Sequence, residues 1–431
     1  MSSKRIKRLA VFYPFGDFNN PKCGAAIRVN YMVKLLSSKI EEIRVMQRWN
    51  KPFSKMDNVR VESPFVKEES IPSRIFDKTF RGLSRLLKNE SRFNSEEMFL
   101  RQFLEPYVFP EFKRSVQELL HWSDAVILEF PFWGRLIEKE IRKDKKPYII
   151  TDHDFLSSHI NFSPTLKHLV KNFEIKTLKN ATHVVSVSET DSSLFYDQGI
   201  PSQVIANSTD CIFWGQEFPG DPKLYLKKRG ITLPDNPFCF FVGGSHNPNK
   251  IAVKDILYLS SLMNEEGDPS FVLAGTCSTP GKTSNLISLG RVDSEILLAL
   301  YKACDIVLVP LKAGSGSSVK TIEAMAAGGS VIGTTVGFRT LGLENGRQVI
   351  IENDIENYPG LIRMLLKNTS LRQSLGHEAK IWAFQMDYRR IFQTYFNLLG
   401  LPAMDNKELA RMEEIDRENF SINMKKHVIG V

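Results

Sequence analysis

The segment from Ile306 to Thr335 constrains the fold of this chain more than any other stretch. It opens with an unbroken apolar run, IVLV, which is typical of a strand covered on both faces in a parallel sheet. A turn rich in glycine and serine follows, then a short helical stretch, a Gly-Gly pair and a second strand. Backbone amides at the beginning of such a helix bind anions well. The pattern predicts a phosphate-binding loop between a strand and a helix.

Two charged residues lie in the helix predicted to begin near Val319. Lys320 adds positive charge in the first turn, and Glu323 follows about one turn later, where its carboxylate can accept hydrogen bonds from a sugar hydroxyl. An ordinary strand-loop-helix connection capped by serines is the alternative for this segment taken alone. The turn itself offers small residues whose amides are accessible, namely Gly314, Ser315, Gly316, Ser317 and Ser318.

The stretch PLKAGSGSSVKTIEAMAAGGSVIGTT resembles the donor-nucleotide motif of family 4 retaining glycosyltransferases, which have the GT-B fold. Those enzymes usually carry two glutamates with seven residues between them. Glu323 matches the second glutamate, whereas Ser315 stands at the place of the first. One branch of the family has a Gly-Ser-Gly loop followed by lysine here, and the chain resembles that branch. The resemblance therefore implies a nucleotide-sugar site, with no assured role for a first glutamate.

The resemblance extends over most of the chain. Gly243, His246 and Lys250 lie in a stretch similar to the first strand and loop of the family's C-terminal domain, where basic residues meet the donor diphosphate. Arg291 and Val292 resemble a strand end whose backbone surrounds the nucleotide base. Further resemblances lie in the N-terminal half: Gly24 in a glycine loop, His153 where the family places a histidine or acidic residue near the donor sugar, and the segments 186–189 and 207–210.

Strand-like and helix-like stretches alternate in two sets, which predicts parallel sheets with helices on both faces. Together with the resemblance, this predicts a GT-B α/β fold, in which two Rossmann-like domains face a central cleft. The expected division is an N-terminal acceptor domain over 1–212, a linker over 213–237, a C-terminal nucleotide-sugar donor domain over 238–375, helices over 376–400 that cross back to the first domain, and a polar tail over 401–431.

A basic and aromatic insert of largely helical pattern interrupts the first domain over about 61–117. Between Arg74 and Lys88, apolar and basic residues alternate at near-helical spacing, as in a helix lying on an anionic membrane. A helix packed on its own domain, with its basic face in water, fits the same pattern. Lipid-linked acceptors are common among the family's members, which adds weight to the membrane interpretation.

Composition is that of a globular protein. The chain has 431 residues, 42% hydrophobic and 25% charged, enough for two domains with sizeable cores. No apolar stretch reaches membrane-spanning length and no signal-peptide core follows the N-terminus, so we expect a cytoplasmic protein, with peripheral binding to the inner face of the membrane as an option. The five cysteines are widely spread and odd in number, which favours reduced thiols. The formal charge of +8 suits an anionic donor, an acidic membrane surface or nucleic acid.

Two other motifs compete with this interpretation. The segment from Gly314 to Thr321 matches a nucleotide-triphosphatase loop except at Val319, whose branched side chain would obstruct the wrap of the backbone around a phosphate. The triplet Asp152-His153-Asp154 contains the Asp-x-Asp pattern of metal-dependent sugar transferases of a different fold. Signatures of serine hydrolases and zinc proteases do not occur.

The resemblance implies transfer of a sugar from a nucleotide diphosphate sugar to an acceptor hydroxyl with retention of configuration, by a hexosyltransferase-like enzyme. Loop amides, Lys320 and Lys250 would stabilise the leaving diphosphate without a metal or cofactor, while Glu323 holds the ribose and His153 orients the sugar. The expected acceptor is a glycan, a lipid-linked glycan or a protein, in the synthesis of cell-surface polysaccharide, glycolipid or glycoconjugate.

Two alternatives from other classes remain open. A non-catalytic protein of the same fold could bind sugar nucleotides or polysaccharide, and the serine at position 315 leaves room for that. A nucleic-acid binder is suggested by charge alone, and no aromatic motif for single strands accompanies it, so we expect no nucleic-acid partner.

Overall fold

The computed structural model describes residues 6–16, 18–19, 21, 23–48, 56–62, 110–144, 146–159, 164–314 and 318–429. The chain forms two compact units. The first unit comprises Met1–Ala206 and Phe392–Ala403, and the second unit comprises Asn207–Ile391 and Met404–Val431. In the part of the chain that is described, no helix is both long enough and apolar enough to cross a membrane.

Strands and helices are numbered here in chain order. The strands are β1 (Arg8–Tyr13), β2 (Glu42–Gln47), β3 (Val59–Glu62), β4 (Ala125–Glu129), β5 (Tyr148–Asp152), β6 (His183–Ser186), β7 (Gln203–Val204), β8 (Phe238–Val242), β9 (Ser270–Ala274), β10 (Gly281–Lys282), β11 (Leu286–Ser288), β12 (Ile306–Val309), β13 (Val331–Gly333) and β14 (Ile350–Ile351). The α-helices are α1 (Gly24–Leu36), α2 (Pro110–Trp122), α3 (Gly134–Asp144), α4 (Leu156–His159), α5 (Pro164–Leu178), α6 (Glu189–Tyr196), α7 (Cys211–Gly215), α8 (Pro222–Lys228), α9 (Asn247–Leu262), α10 (Ser294–Ala303), α11 (Val319–Ala326), α12 (Tyr358–Lys367), α13 (Thr369–Ala383), α14 (Tyr388–Ile391), α15 (Gln393–Leu398) and α16 (Asn406–Ile429). Short 3-10 helices span Pro131–Trp133, Ile355–Asn357 and Phe384–Met386.

The first unit contains a parallel sheet whose described strands follow the order β3-β2-β1-β4-β5-β6-β7. Every residue of the two central strands β4 and β5 is buried, as expected where helices cover both faces of a sheet. The carboxyl ends of β4 and β5 are neighbours, because Glu129 pairs with Thr151 in the parallel register. Side chains that follow these two strands are therefore brought to one edge of the sheet.

The second unit contains a sheet of order β10-β11-β9-β8-β12-β13-β14. Its described strands pair in parallel except for the short antiparallel pair β10 and β11. The central strands β8, β9 and β12 are apolar and almost wholly buried. The predicted architecture of two Rossmann-like α/β domains, each with a mainly parallel sheet, is confirmed.

The C-terminal segment returns to the first unit through α15. Tyr395 on this helix is fully buried, and its hydroxyl accepts a hydrogen bond from Nη2 of Arg28 at 3.2 Å. The same hydroxyl lies 2.8 Å from Oγ1 of Thr151, on β5. The guanidinium of Arg28 also donates to the carbonyl oxygen of Ala206 at 2.9 Å. A buried polar network therefore fixes α15 against α1 and the central sheet.

A second buried network lies in the second unit. The guanidinium of Arg389 is fully buried and contacts three carboxylates, at 2.8 Å from Asp387, at 3.0 Å from Asp210, and at hydrogen-bond distance from Asp416 of α16. Three carboxylates around one cation offset the cost of burying its charge. Through Asp416 the network attaches α16 to this unit, in the segment over 401–431 that the sequence predicted as a polar tail.

Other expected segments differ from the structure in detail or fall outside it. The expected linker over 213–237 belongs to the second unit and includes α8, in which Tyr225 and Leu226 are buried. Its prolines and glycines mark turns around a packed helix. Between the end of β3 and the beginning of α2, the insert over 61–117 lies outside the described residues, and so does the basic segment from Arg74 to Lys88.

Helix capping accounts for part of the local sequence pattern. Ser188 caps α6 and Asp210 caps α7, each accepting a hydrogen bond from the amide three residues later. Both residues lie in segments that resemble family motifs, over 186–189 and 207–210. These two motifs therefore have a local structural function, and Asp210 adds its contact with Arg389.

We expect Tyr395→Phe to destabilise the protein, because the variant leaves a buried guanidinium and a buried threonine hydroxyl without their common partner. The free energy of unfolding should fall by about 1–3 kcal/mol. Chemical denaturation measures the change, and Tyr196→Phe is the control, since Tyr196 is 76% exposed in the same unit. Equal effects of the two substitutions would show that the network contributes nothing to stability.

Candidate functional site

The loop after β12 is held by a glycine and by an arginine from a later loop. Gly314 has a φ of 127°, a backbone conformation that side chains strongly disfavour. Its carbonyl oxygen accepts a hydrogen bond from the guanidinium of Arg339, and a Cβ added at Gly314 would lie 3.1 Å from Nη2 of that arginine. The three loop residues over 315–317, which are Ser315, Gly316 and Ser317, lie outside the described residues. Ser318 is described and is the N-cap of α11.

Lys320 is held in place in the first turn of α11. Its ammonium group donates a hydrogen bond to Oδ1 of Asn249, on α9, and lies 5.1 Å from the centre of the Phe241 ring. Asn249 is itself fixed, because its amide nitrogen donates to the carbonyl oxygen of Gly244 at 3.1 Å. Burial lowers the pKa of Lys320 to about 8, although the charge of Glu323 acts in the opposite direction.

Glu323 lies one turn further along α11 and is 8% exposed. Burial raises the pKa of its carboxyl group to about 8, and the nearby charge of Lys320 offsets part of this shift. Near neutral pH the carboxyl group is therefore mostly protonated, and it can both donate and accept a hydrogen bond. Two ionisable groups with strongly shifted pKa values on one short helix are typical of a functional site.

Backbone groups of three strand ends meet beside this helix. The amide of Gly243, after β8, donates to the carbonyl oxygen of Ala274, and the amide of Gly275 donates to the carbonyl oxygen of Gly290. Gly275 has a φ of 92°, and a Cβ there would lie 2.1 Å from the carbonyl oxygen of Gly243. A Cβ at Gly243 would in turn lie 3.0 Å from Cβ of Asn249. Glycine is therefore required at both positions, and the backbone of Gly243 lies beside Asn249, the residue that binds Lys320.

Most of the other predicted residues of the second unit are exposed. His246 is exposed at the N-cap of α9, where its carbonyl oxygen accepts hydrogen bonds from the amides of Asn249 and Lys250. Lys250 is exposed in the first turn of the same helix, and Arg291 is exposed, whereas Val292 is half-buried. The structure thus brings Gly243, Asn249, Lys320 and Glu323 into one neighbourhood. Asn249 and Arg339 were not identified from the sequence, because neither belongs to a motif with an evident charge pattern.

In the first unit, His153 follows β5 and is almost completely buried. Its Nε2 atom lies 2.6 Å from Oε2 of Glu129, the last residue of β4. The imidazole ring stacks on Phe130, with ring centres 4.1 Å apart and planes inclined by 12°. Gly24, the other predicted residue of this unit, is the exposed first residue of α1.

The triplet Asp152-His153-Asp154 does not converge on one point. Asp152 is fully buried, and both burial and the nearby charge of Glu174 raise the pKa of its carboxyl group well above the usual range. His153 faces Glu129 instead, since consecutive side chains at a strand end point in opposite directions. Within the described residues, no group of three histidine, cysteine, aspartate or glutamate side chains is placed to hold a metal ion.

Comparison with known proteins bears on the fold of the chain. Residues 236–368 match the family model described as Glycosyl transferases group 1. The chain is similar in structure to sucrose-phosphate synthase from Thermosynechococcus elongatus, with a TM-score of 0.67 and 15% identity over 91% of this chain and 98% of that one. It is also similar to HepE from Anabaena in complex with UDP-glucose, with a TM-score of 0.66 and 16% identity over 91% and 99% of the two chains.

A further similar structure is WaaG, a glycosyltransferase involved in lipopolysaccharide biosynthesis, with a TM-score of 0.62 and 15% identity over 91% of this chain and 100% of that one. A comparison with curated protein sequences finds no match. At these identities the structural similarities show the fold alone. They confirm the predicted GT-B fold.

The raised pKa of Glu323 makes the stability of the folded protein depend on pH. Because the folded-state pKa of about 8 exceeds the ordinary value of 4.5, the group stabilises the folded state fully below pH 4.5. This contribution declines as the pH rises and is lost above about pH 8. Glu323→Gln keeps the shape of the neutral carboxyl group, so we expect the variant to gain stability relative to the wild type across this window. Unfolding measured at a series of pH values tests the prediction.

The matched control is Glu266→Gln, because Glu266 is exposed in the same unit. Its unfolding curve should follow that of the wild type at each pH. If the Glu323→Gln and wild-type stabilities ran parallel from pH 4.5 to 8, the carboxyl group of Glu323 would have an ordinary pKa and the burial argument would fail.

Proposed function

We propose that this chain, which has the GT-B fold and matches the group 1 glycosyltransferase model over residues 236–368, moves a sugar from a nucleotide diphosphate donor to an acceptor hydroxyl with retention of configuration. The observation that carries the proposal is the placement of Lys320 within the matched residues. Its ammonium group is fixed by Asn249 at the beginning of α11, next to a glycine-rich loop and one turn from Glu323. Such a helix start attracts anions.

A nucleoside diphosphate sugar is the donor class that fits these groups. Burial lowers the pKa of Lys320 to about 8, and a bound diphosphate would raise it again by favouring the charged form. Lys250 and the amides near Ser318 supply further positive potential. The similar protein HepE has been described in complex with UDP and glucose and with UDP-glucose, which supports this donor class.

In the proposed reaction, negative charge develops on the leaving diphosphate as the glycosidic bond breaks. Donors that are already oriented stabilise that charge without reorganisation, and the fixed ammonium group of Lys320 meets this condition. The leaving phosphate oxygen takes the acceptor proton, so no protein nucleophile is needed. Glu323 holds the ribose and His153 orients the sugar. We propose that the reaction needs neither a metal nor a cofactor.

We also propose a class of acceptor and a cellular location. WaaG takes part in lipopolysaccharide biosynthesis, which supports a glycan or lipid-linked glycan as the acceptor class and cell-surface polysaccharide or glycolipid as the product. We place the protein in the cytoplasm. Binding to an anionic membrane through the basic segment within 61–117 remains a proposal that rests on its composition.

A non-catalytic binding protein of the same fold is the alternative function. It would use the same Lys320 and Glu323 to hold a sugar nucleotide, so that binding data alone do not separate the two. Incubation with labelled donors and candidate acceptors does, because the enzyme releases nucleoside diphosphate and forms a glycoside while the binding protein does neither.

We expect Lys320→Ala and Glu323→Ala each to weaken binding of a nucleoside diphosphate sugar. A hydrogen bond to a charged group contributes about 1.5–3 kcal/mol, so the Kd of Lys320→Ala should rise roughly 10- to 150-fold. The bond made by the neutral carboxyl group of Glu323 is worth about 0.5–1.5 kcal/mol, so the Kd of Glu323→Ala should rise roughly 2- to 10-fold. Titration calorimetry measures Kd, and circular dichroism checks that the variants are folded. Lys228→Ala is the control, since Lys228 is an exposed lysine at the end of α8. Unchanged affinity in both site variants would remove the donor-site assignment.

The role of His153 predicts a different kinetic result. His153→Gln keeps a hydrogen-bond donor toward Glu129 but loses the imidazole, so turnover should fall while binding of the bare nucleoside diphosphate stays unchanged. Steady-state kinetics with calorimetry of the nucleotide separates the two effects.

Activity of the wild type should persist in a chelator. Loss of activity in chelator, with recovery on adding manganese, would contradict the proposed mechanism.

A further inference from the structure

Glu129 is a buried carboxylate with one close hydrogen-bond partner among the described residues. It is the last residue of β4, its side chain is fully buried, and its Oε2 atom lies 2.6 Å from Nε2 of His153. Its other oxygen, Oε1, has no hydrogen-bond partner among the described residues. Burial of a carboxylate is costly unless it is paired, so the contact with His153 carries most of the compensation. The two residues therefore depend on each other.

The backbone at the next residue supports a functional reason for this arrangement. Phe130 has a φ of 64° and a ψ of 147°, a conformation that is almost restricted to glycine. The strained residue places its ring flat against the imidazole of His153, with centres 4.1 Å apart. Its amide also donates to the carbonyl oxygen of Thr151 at 2.8 Å, which ties β4 to β5 at this point. Strain of this kind persists where the surroundings hold it in place, and it clusters at active sites.

The chemistry of the contact determines which nitrogen of His153 carries a proton. An ionised carboxylate only accepts hydrogen bonds, so Nε2 must donate to Glu129. In a neutral imidazole the proton then lies on Nε2, and Nδ1 is left as an acceptor. A sugar hydroxyl is a donor that this nitrogen can bind. The stacked ring of Phe130 restricts rotation of the imidazole about its Cβ–Cγ bond.

We propose that Glu129 and Phe130 are positioning residues that hold His153 in the Nε2-protonated form with a fixed ring plane, so that Nδ1 receives a hydroxyl of the sugar. The assignment of the sugar as partner rests on the proposed function. The assignment of the tautomer does not, because it follows from the contact of Nε2 with an ionised Glu129. The two can therefore fail separately.

The experiment is nuclear magnetic resonance of the full chain labelled with nitrogen-15 histidine, which reports the protonated ring nitrogen of each of the eight histidines. His153→Gln identifies the resonance by its loss. We expect the wild type to show a proton on Nε2 of His153. In Glu129→Gln, whose amide can donate as well as accept, we expect a substantial fraction with the proton on Nδ1. A proton on Nδ1 in the wild type would overturn the proposal without any reference to activity.

Kinetics then test what the fixed ring does. Glu129→Gln should lower kcat by at least about tenfold, in line with other residues that orient a histidine, and leave the Kd for the nucleoside diphosphate unchanged. Phe130→Leu should lower kcat while the proton stays on Nε2. Glu118→Gln, an exposed glutamate of α2, is the control for both measurements. An unchanged kcat in Glu129→Gln and Phe130→Leu would show that the arrangement is structural, even if the tautomer is as expected.

Discussion

The candidate donor site depends on the burial of two ionisable side chains of α11, Lys320 and Glu323. Water stabilises charge, and its exclusion moves the pKa of both groups to about 8, one downward and one upward. The charge of each group offsets only part of the effect of burial on the pKa of the other. The ammonium group takes Asn249 as its hydrogen-bond partner, and the arrangement is ready to gain stability from an added anion. Strongly shifted pKa values of this kind are typical of ligand sites, which supports the proposed donor site.

The surrounding backbone serves this burial. Parallel strands end at one edge of the sheet, where Gly243 and Gly275 let two backbone segments approach more closely than any side chain would permit. Gly314 takes a conformation that disfavours other residues, and Arg339 binds its carbonyl oxygen. These contacts bring α9 and α11 together around the ammonium group of Lys320. The first unit uses a similar device, since Phe130 accepts backbone strain in order to stack on His153.

Local patterns in the sequence predicted the architecture well. An apolar run, a glycine-rich turn and a short helix are all contained within about thirty residues, so β12 and α11 could be placed from their own sequence, and the alternation of such units predicted two parallel sheets. The linker over 213–237 was judged from its prolines and glycines, which do not distinguish a flexible connection from turns around a packed helix such as α8.

The polar networks could not be predicted, because their members are distant in sequence and have no periodic spacing. Arg28 and Tyr395 are separated by 367 positions, and Glu129 and His153 by 24. Nothing in either segment indicates its partner, since pairing depends on the order of strands in the sheet. For the same reason the sequence did not predict Asn249, although it predicted its partner Lys320. The binding of phosphate by residues 315–317 stays a prediction.

The most direct test of the central claim is a thermal-shift screen of the wild type against nucleoside diphosphate sugars, with the double variant Lys320→Ala/Glu323→Ala beside it. At a concentration about one hundred times its Kd, a true donor should stabilise the wild type by roughly 2.7 kcal/mol, and the double variant should lose most of that shift. If no donor stabilises the wild type, or if the double variant responds as strongly, the buried pair on α11 is not a donor site.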